Sequence, residues 1–322
     1  MKFKCCEYLL NEIVFSLSAV TPCCCSPNPA YEMKFLSNFN GKLFDVNKYI
    51  EQRNIYISQF KDNIIPKSCI GCNKVEEKDW NEEPKIKRII ITNSTKCSCN
   101  CIYCSLVNIG HQTKKELNTR KAYDIKPVLY DLYKKNLIEE NCIITVGGGE
   151  CAELPQGELD YIIYIASILK CRLEILSSGM FYSKTIENAL TTQNCILKIS
   201  TDSGNKKTFE KIKQVKTFDR TWKNLKNYIQ KSKRNKNSQV VIKYIILPGI
   251  NDNINEAKSF IKKCRSIGCR KIEIAIEYLY FEKIKNNSIP KSIKETLSIL
   301  LSSNFDISFE GQVQEYVRNN IG

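Results

Sequence analysis

The chain has 322 residues, enough for one large α/β domain and a small second one. Its seventeen cysteines are an odd number, and the chain is too large for a disulfide scaffold, so reduced thiols that bind metal are favoured. The net charge of +15 is spread along the chain without a dense basic block, so nucleic-acid binding is not favoured. No apolar segment is long enough to span a membrane and no signal-peptide pattern opens the chain, so we expect a cytoplasmic protein.

The N-terminal region, residues 1–84, has two groups of cysteines that are far apart in sequence. A strand is predicted over 12–18, within the first group, and a helix over 45–60, before the second group. Its cysteines are Cys5, Cys6, Cys23, Cys24, Cys25, Cys69 and Cys72. Gly71 eases the turn between the last two of them. Two thiol groups far apart in sequence can build a four-ligand iron-sulfur site or a structural zinc site, and the sequence leaves both open.

From residue 85 onward, strand-like runs alternate with amphipathic helices. The runs are 86–92, 142–146, 172–177, 195–201, 239–247 and 271–276. This repetition predicts a parallel sheet with right-handed crossovers. We expect a six-unit partial (β/α) barrel over 85–285 with a helical cover over 286–322, the alternative being an open doubly wound sheet. Five cysteines are expected to be plain core residues: Cys142, Cys171, Cys195, Cys264 and Cys269.

Directly after the first of these strands, four cysteines lie within eight residues. The segment is Cys97-Ser-Cys99-Asn-Cys101-Ile-Tyr103-Cys104. Thiols at this density are typical of a metal site. A structural zinc site closes itself with four ligands, whereas a cubane held by three thiolates leaves one iron open to a further ligand. A zinc knuckle remains the alternative.

The loops that follow the later strands carry glycine and polar residues, and in parallel α/β folds ligands bind at these carboxyl ends. The candidate residues are Gly147, Gly148, Gly149, Glu150, Ser178, Ser200 and Asp202. The glycines permit close approach to a ligand, and Glu150 offers a carboxylate to an ammonium group. Asp202 can equally cap the next helix. Glu273 and Glu277, near the sixth strand, are barrel-facing acids or solvated charges.

The spacing Cys97-x3-Cys101-x2-Cys104, with Tyr103 before the last cysteine, resembles the cluster loop of the radical S-adenosylmethionine (SAM) superfamily. The Gly-Gly-Glu loop and the Ser-x-Asp segment then follow in the order of that family. The resemblance implies that the three cysteines hold a [4Fe-4S] cluster whose open iron chelates SAM. It also implies that Tyr103 contacts SAM and that Glu150 accepts a hydrogen bond from the SAM amino group. The other implied SAM contacts are Gly147, Gly148, Gly149, Ser178, Ser200 and Asp202.

The N-terminal region resembles the SPASM and twitch auxiliary-cluster domains of many radical SAM enzymes. The matching residues are Cys6, Ser18, Cys23, Cys69 and Cys72, with Ser18 standing where that family has glycine. The resemblance implies one auxiliary [4Fe-4S] cluster on the four cysteines, with Cys5, Cys24 and Cys25 as alternative ligands. A small cysteine-rich, cluster-binding N-terminal domain is therefore expected beside the barrel.

Together these resemblances imply an enzyme, a radical SAM oxidoreductase or related radical transferase, that cleaves SAM reductively to a 5'-deoxyadenosyl radical. The radical would abstract hydrogen from a peptide in an oxidation, cross-link or epimerisation; a sugar or small metabolite is the alternative substrate. Cys151 and Cys99 lie near enough to the predicted site to be hydrogen-atom donors. A flavodoxin or ferredoxin is the expected reductant. The rival from another class is a non-enzymatic zinc protein that binds nucleic acid.

Overall fold

The structure, a computed structural model, describes part of the chain and divides it into two compact units. The described residues are 3–16, 20–23, 45–72, 74–78, 84–108, 113, 115–116, 124–154, 156–285, 287–311 and 313–321. The first unit comprises Met1–Thr95, Arg120–Gly149 and Leu154–Glu174, and the second comprises Lys96–Thr119, Glu150–Glu153 and Ile175–Gly322. Ser18, Cys24 and Cys25 lie outside the described residues.

Strands and helices alternate along the described chain. The strands are β1 (Phe3–Cys5), β2 (Glu12–Phe15), β3 (Val20–Thr21), β4 (Glu76–Lys78), β5 (Ile86–Ile91), β6 (Ile138–Val146), β7 (Arg172–Ser177), β8 (Cys195–Ser200), β9 (Gln239–Ile246), β10 (Lys271–Ile276) and β11 (Asp306–Phe309). The helices are α1 (Glu7–Asn11), α2 (Val46–Lys61), α3 (Ser105–Asn108), α4 (Lys126–Lys134), α5 (Gln156–Ile168), α6 (Lys184–Thr192), α7 (Lys206–Lys213), α8 (Phe218–Ser232), α9 (Ile254–Ser266), α10 (Tyr278–Ile284), α11 (Lys291–Leu301) and α12 (Val313–Ile321).

In the first unit, β5 lies between two parallel neighbours. Ile89 of β5 stands opposite Ile13 of β2 and Ile144 of β6, and all three side chains are buried. These β-branched residues fit a pleated surface that is covered by helices. β3 extends β2 in the antiparallel sense, and β1 and β4 form a separate antiparallel pair. The N-terminal strand predicted over 12–18 therefore contributes to the sheet of β5.

In the second unit, the four strands β8, β9, β10 and β11 run parallel in that order. Ile242 of β9 stands opposite Ile199 and Ile272. Behind the sheet, the ring of Tyr244 packs on Phe260 of α9 with centroids 4.6 Å apart. An apolar layer of this kind is what holds helices against a parallel sheet.

The predicted strands are confirmed, and four short strands were missed: β1, β3, β4 and β11. The runs 172–177 and 271–276 coincide with β7 and β10, and the helix expected over 45–60 is α2, capped by the Asp45 carboxylate. The expected helical cover over 286–322 differs: it contains α11 and α12 but also β11, parallel to β10. The five cysteines assigned to the core are all buried.

The α/β class and the largely parallel sheet are thus confirmed. Closure into a six-unit barrel and the domain boundaries at residues 84 and 285 stay predictions. None of the helices in the described residues has the length and hydropathy that a bilayer crossing requires.

Helices α6 and α8 are joined by a polar cluster around Glu187, which yields a pH prediction. Hydrogen bonds from Lys231, Lys184 and the Tyr182 hydroxyl lower the pKa of Glu187 to about 2. A carboxyl whose pKa is lower in the folded state adds stability that is present above its unfolded value and is lost as pH falls through the folded value. We therefore expect Glu187→Gln to flatten the loss of stability between pH ~4.5 and ~2 in urea unfolding.

The matched control is Glu295→Gln, which removes a solvent-exposed pair with Lys291 at 3.8 Å. Exposed pairs of this kind contribute little to stability. The prediction would be contradicted if the free energy of unfolding fell equally steeply with decreasing pH in the wild type and in Glu187→Gln.

Candidate active site

The cluster loop, residues 96–104, lies in the second unit and turns so that its alternate cysteines have different environments. Cys97, Cys101 and Cys104 are half-exposed, whereas Cys99 is buried. Hydrogen bonds with the Cys101 and Cys97 thiols raise the pKa of Cys99. The loop is therefore folded around the Cys99 thiol, and the three cysteines of the spaced motif are the ones that reach solvent.

The turn between Cys101 and Cys104 is closed by the Cys104 N–H, which donates to the Cys101 carbonyl at 3.1 Å. Helix α3 begins at the next residue, and the Asn108 N–H donates back to Cys104 O at 2.8 Å. The other described cysteines of the second unit are all buried. The donor set that this unit offers at its surface is thus three thiols on one loop, which fits a cubane held by three ligands.

Residues 150–153 hold the first half of the cluster loop. The Glu150 N–H donates to Lys96 O at 2.8 Å. The Glu153 carboxylate accepts from the N–H and from the hydroxyl of Ser98 at 2.7 and 2.8 Å. These contacts fix the backbone on both sides of Cys97.

The second half of the cluster loop is bound to the end of α7. The N–H groups of Asn100 and Ile102 donate to the carbonyls of Lys213 and Ile212 at 3.1 and 3.0 Å. Carbonyls in the last turn of a helix have no partner within the helix, so the loop satisfies them. Residues 100–102 consequently follow the position of α7.

The Glu150 carboxylate is buried and accepts from four donors. One oxygen accepts from the Ser177 hydroxyl at 2.6 Å and from the Ala152 N–H at 3.0 Å. The other accepts from the Ser178 N–H at 2.7 Å and from the Ser178 hydroxyl. A carboxylate has about four acceptor positions, so these donors saturate it. Two of the donors are hydroxyls, which can rotate away to admit another donor.

Asp202 is wholly buried, and three protein groups donate to its carboxylate. One oxygen accepts from the Tyr103 hydroxyl and the Lys213 ammonium, each at 2.6 Å. The other accepts from the Ile245 N–H at 3.1 Å. The alternative that Asp202 caps the next helix is wrong: Asn205 caps α7, since its side chain accepts from the Lys207 N–H at 2.9 Å. The predicted contact of Asp202 with SAM stays a prediction.

In the first unit, the three glycines after β6 pack against the loop after β5. The Gly147 N–H donates to Ile91 O and the Gly149 N–H to Ser94 O, both at 2.9 Å. Gly148 has φ +94°, and a Cβ on it would lie 2.7 Å from the Ser94 carbonyl oxygen. A side chain at Gly148 would therefore be both strained and blocked. The division between the two units falls directly after Gly149.

One face of the second unit's sheet carries a polar row. Ser200, Lys243, Glu273 and Ser308 stand opposite one another on β8 to β11. Lys198 approaches Glu273 at 2.7 Å, and Lys243 approaches Glu310 at 2.5 Å. Glu273 is therefore a sheet-face acid with a partner rather than a solvated charge. Glu277 instead caps α10, accepting from the Tyr280 N–H at 2.8 Å.

Cys151, the other predicted hydrogen donor, is buried in the second unit. Burial raises the pKa of its thiol, and the charges of Glu150 and Cys97 raise it further. Cys151 is consequently a neutral thiol. It lies near Glu150, which is predicted to contact SAM, and near Cys97, which is predicted to bind the cluster. A neutral thiol is the form that carries a hydrogen atom. Its role as a donor, like that of Cys99, stays a prediction.

The first unit brings three of the four predicted auxiliary ligands together. Burial raises the pKa of Cys6 to about 11, the N–H groups of Leu9 and Tyr8 oppose this, and the charges of Cys69 and Cys72 add to it. The Cys72 N–H donates to Cys69 O at 3.0 Å, in a turn where Gly71 has φ +77°. Cys23 is half-exposed. Burial raises the pKa of Tyr49 to about 12, and the charge of Cys23 adds to this rise.

Within the described part of the chain, no three His, Cys, Asp or Glu side chains converge as a single metal ion requires. In a cubane each thiolate binds a different iron, so its ligands need not converge on one point.

Sequence reasoning missed two residues that hold the cluster loop, Lys213 and Glu153. Lys213 ends an amphipathic helix in a chain with 49 lysines and arginines, so its type and spacing give no signal. Glu153 follows the glycine loop, and its proximity to Glu150 was the one available indication.

No protein-family model matches the sequence, and no curated protein matches it. Solved structures do match the fold. Streptococcus suis SuiB bound to S-adenosylmethionine aligns with a TM-score of 0.52 at 16% identity, over 84% of this chain and 57% of SuiB. A second SuiB structure aligns with a TM-score of 0.53 at 15% identity, over 86% and 58%. SuiB bound to the precursor peptide SuiA aligns with a TM-score of 0.52 at 13% identity, over 96% and 73%.

In two of these matches the chain spans less than two thirds of the length of SuiB, at 57% and 58%. The structural neighbours are radical SAM enzymes. At identities of 16% and below the likeness concerns the fold, and this chain has the largely parallel α/β fold that those enzymes share.

Proposed function

We propose that this protein is a radical SAM enzyme that binds a [4Fe-4S] cluster on Cys97, Cys101 and Cys104. The observation that carries the proposal is the cluster loop itself: these three thiols reach solvent from one loop, while Cys99 between them is buried. When bound, the cluster supplies the electron that cleaves SAM to methionine and a 5'-deoxyadenosyl radical, which abstracts hydrogen from a substrate. The fold shared with SuiB supports this assignment.

The chain's own residues would bind and orient SAM near the cluster loop. The Glu150 carboxylate suits the SAM ammonium, because the Ser177 and Ser178 hydroxyls that now donate to it can rotate away. Its two backbone donors, the N–H groups of Ala152 and Ser178, would keep it in place. The other proposed SAM contacts are Tyr103, Gly147, Gly148, Gly149, Ser178, Ser200 and Asp202.

The proposed substrate is a peptide. SuiB, whose fold this chain shares, is known in a complex with the precursor peptide SuiA. The polar row of the second unit carries a positive and a negative side chain for contact with such a substrate. Lys198 keeps a quarter of its side chain exposed and lies beside the buried Glu273. An auxiliary [4Fe-4S] cluster on Cys6, Cys23, Cys69 and Cys72 is also proposed, with oxidation, cross-linking or epimerisation as the outcome. Cytoplasmic location and a flavodoxin or ferredoxin reductant are proposed with it.

Anaerobic incubation of the reconstituted protein with SAM and dithionite tests the proposal. We expect 5'-deoxyadenosine by chromatography, and about eight irons per chain if both cubanes are present. The variant with Cys97, Cys101 and Cys104 all changed to alanine should lose about four irons and all deoxyadenosine formation. The matched control Cys269→Ala removes a buried thiol of the same unit and should retain both. A colourless protein that binds zinc would overturn the proposal.

A further inference from the structure

A buried ionic trio, formed by Tyr103, Asp202 and Lys213, lies against the cluster loop. The Lys213 ammonium lies 2.6 Å from the Asp202 carboxylate and donates to the Tyr103 hydroxyl at 2.6 Å. The Lys213 and Asp202 side chains are only 2% and 0% exposed. The Tyr103 ring is half-exposed and lies under the same ammonium, which is 5.0 Å from the ring centroid. The three polar groups thus form one hydrogen-bonded network.

Lys213 keeps its charge in this environment. Burial alone would lower its pKa, but the charge of the Asp202 carboxylate, 2.6 Å away, holds the pKa of Lys213 well above the usual range. The N–H groups of Asn100 and Ile102, on either side of Cys101, donate to the carbonyls of Lys213 and Ile212, so the end of the helix that carries the cation lies beside a proposed cluster ligand.

The trio is itself rigidly supported. Asp202 has φ +59°, a conformation that costs energy in a residue with a side chain. Its carboxylate accepts from the Ile245 N–H, and its carbonyl accepts from the Asn251 amide at 2.7 Å. β9 and the loop after it therefore hold Asp202 in place, and Asp202 holds Lys213.

The position of Tyr103 makes this arrangement relevant to the cluster. Tyr103 lies between Cys101 and Cys104 in the chain, and the preceding Ile102 is bound to the end of the helix that carries Lys213. A displacement of Lys213 would consequently move two proposed ligands. An ion pair this deeply buried is stable only while both charges are present.

We propose that Asp202 and Lys213 are positioning residues for the cluster, which fix its loop through Tyr103 and set its reduction potential by presenting a balanced pair of charges. This inference rests on the proposed function. It is a separate role from the proposed contact of Asp202 with SAM, because it acts through Lys213 and Tyr103. Reduction adds one negative charge to the cluster, so an unbalanced neighbouring charge must shift the potential according to its sign.

The test measures the potential of the SAM-binding cluster by redox titration with electron paramagnetic resonance, in the whole protein. The signal that the Cys97, Cys101 and Cys104 triple variant lacks identifies this cluster. Lys213→Met leaves the Asp202 carboxylate unpaired and should shift the potential to more negative values. Asp202→Asn leaves the ammonium unpaired and should shift it to more positive values. The double variant should return close to the wild-type potential.

The exposed pair of Lys206 and Asp219, at 2.8 Å, provides the matched control. Lys206→Met and Asp219→Asn should leave the potential unchanged, because solvent screens exposed charges. Lys213→Arg keeps the cation and should keep the wild-type potential. A trio that serves only to hold the loop together would instead give no shift, or shifts of the same sign, in the two single variants, and either result overturns the inference.

If Lys213→Met loses its iron, the double variant decides. Recovery of iron in the double variant supports the pairing, because no uncompensated charge remains; loss of iron there too overturns it. A wild-type protein that binds no cluster would refute the proposed function itself. A wild type that holds its cluster while the variants lack opposite shifts would refute only the role of the trio.

Discussion

Glu150→Gln is expected to abolish SAM binding and to lower the free energy of unfolding by about 3 kcal/mol. The Glu150 carboxylate accepts from four donors, and two of them are backbone N–H groups that cannot turn away. A glutamine amide has only one acceptor oxygen, so its NH2 group would face at least one of these N–H groups. The resulting donor-to-donor contact leaves buried groups without partners, and the SAM ammonium loses its counter-charge.

Glu256→Gln is the matched control for this experiment. The side chain of Glu256 accepts from the hydroxyls of Ser203 and Thr208 at 2.7 and 2.6 Å. Hydroxyls can rotate to donate to an amide oxygen or accept from its NH2 group, so this change should cost about 1 kcal/mol at most. Calorimetric titration with SAM and denaturant unfolding measure the two effects. Wild-type SAM affinity in Glu150→Gln would remove Glu150 from the proposed site.

Gly204→Ala is expected to destabilise the second unit by about 3 kcal/mol. A Cβ at Gly204 would overlap the Ser259 carbonyl oxygen and lie 2.5 Å from the Phe260 nitrogen. Both atoms belong to the backbone of α9, which cannot yield without moving Phe260 away from Tyr244. The glycine is required here for the close approach of a loop to a helix.

Gly157→Ala is the corresponding control, because a Cβ there meets no atom within 4 Å. Gly157 is the second residue of α5, where alanine favours the helix by up to about 1 kcal/mol. Its stability in denaturant unfolding should therefore equal or exceed that of the wild type. Equal stability of Gly204→Ala and the wild type would show that α9 can move away from the loop without cost.

Strands β5 to β10 could be predicted from the sequence because each contains a short run rich in apolar residues, and helical segments separate most of them. β7 and β10 were located to the residue. β11 was missed because it has four residues, Asp306–Phe309, of which only two are apolar. Its pairing with β10 is what makes it a strand, and that contact is not a local property of the sequence.

The candidate site also has features that are local in sequence and features that depend on contacts between distant residues. The spacing of Cys97, Cys101 and Cys104 is local and could be recognised without a structure. The contribution of Lys213 depends on a contact with Tyr103, which is 110 positions away in sequence. Burial of a lysine beside an aspartate is decided by the packing of α7 on the sheet. Helical spacing indicates only which face of α7 is apolar.

This separation has a consequence for biosynthesis. The cysteine ligands leave the ribosome about 110 residues before the helix end that anchors their loop. At ~5–20 residues per second, the delay is roughly 6–20 s. The loop cannot adopt its final shape during this interval, so we expect cluster insertion to follow synthesis of the second unit. Slow growth at low oxygen should accordingly improve the yield of iron-loaded protein, because the unanchored thiols are open to oxidation until α7 is in place.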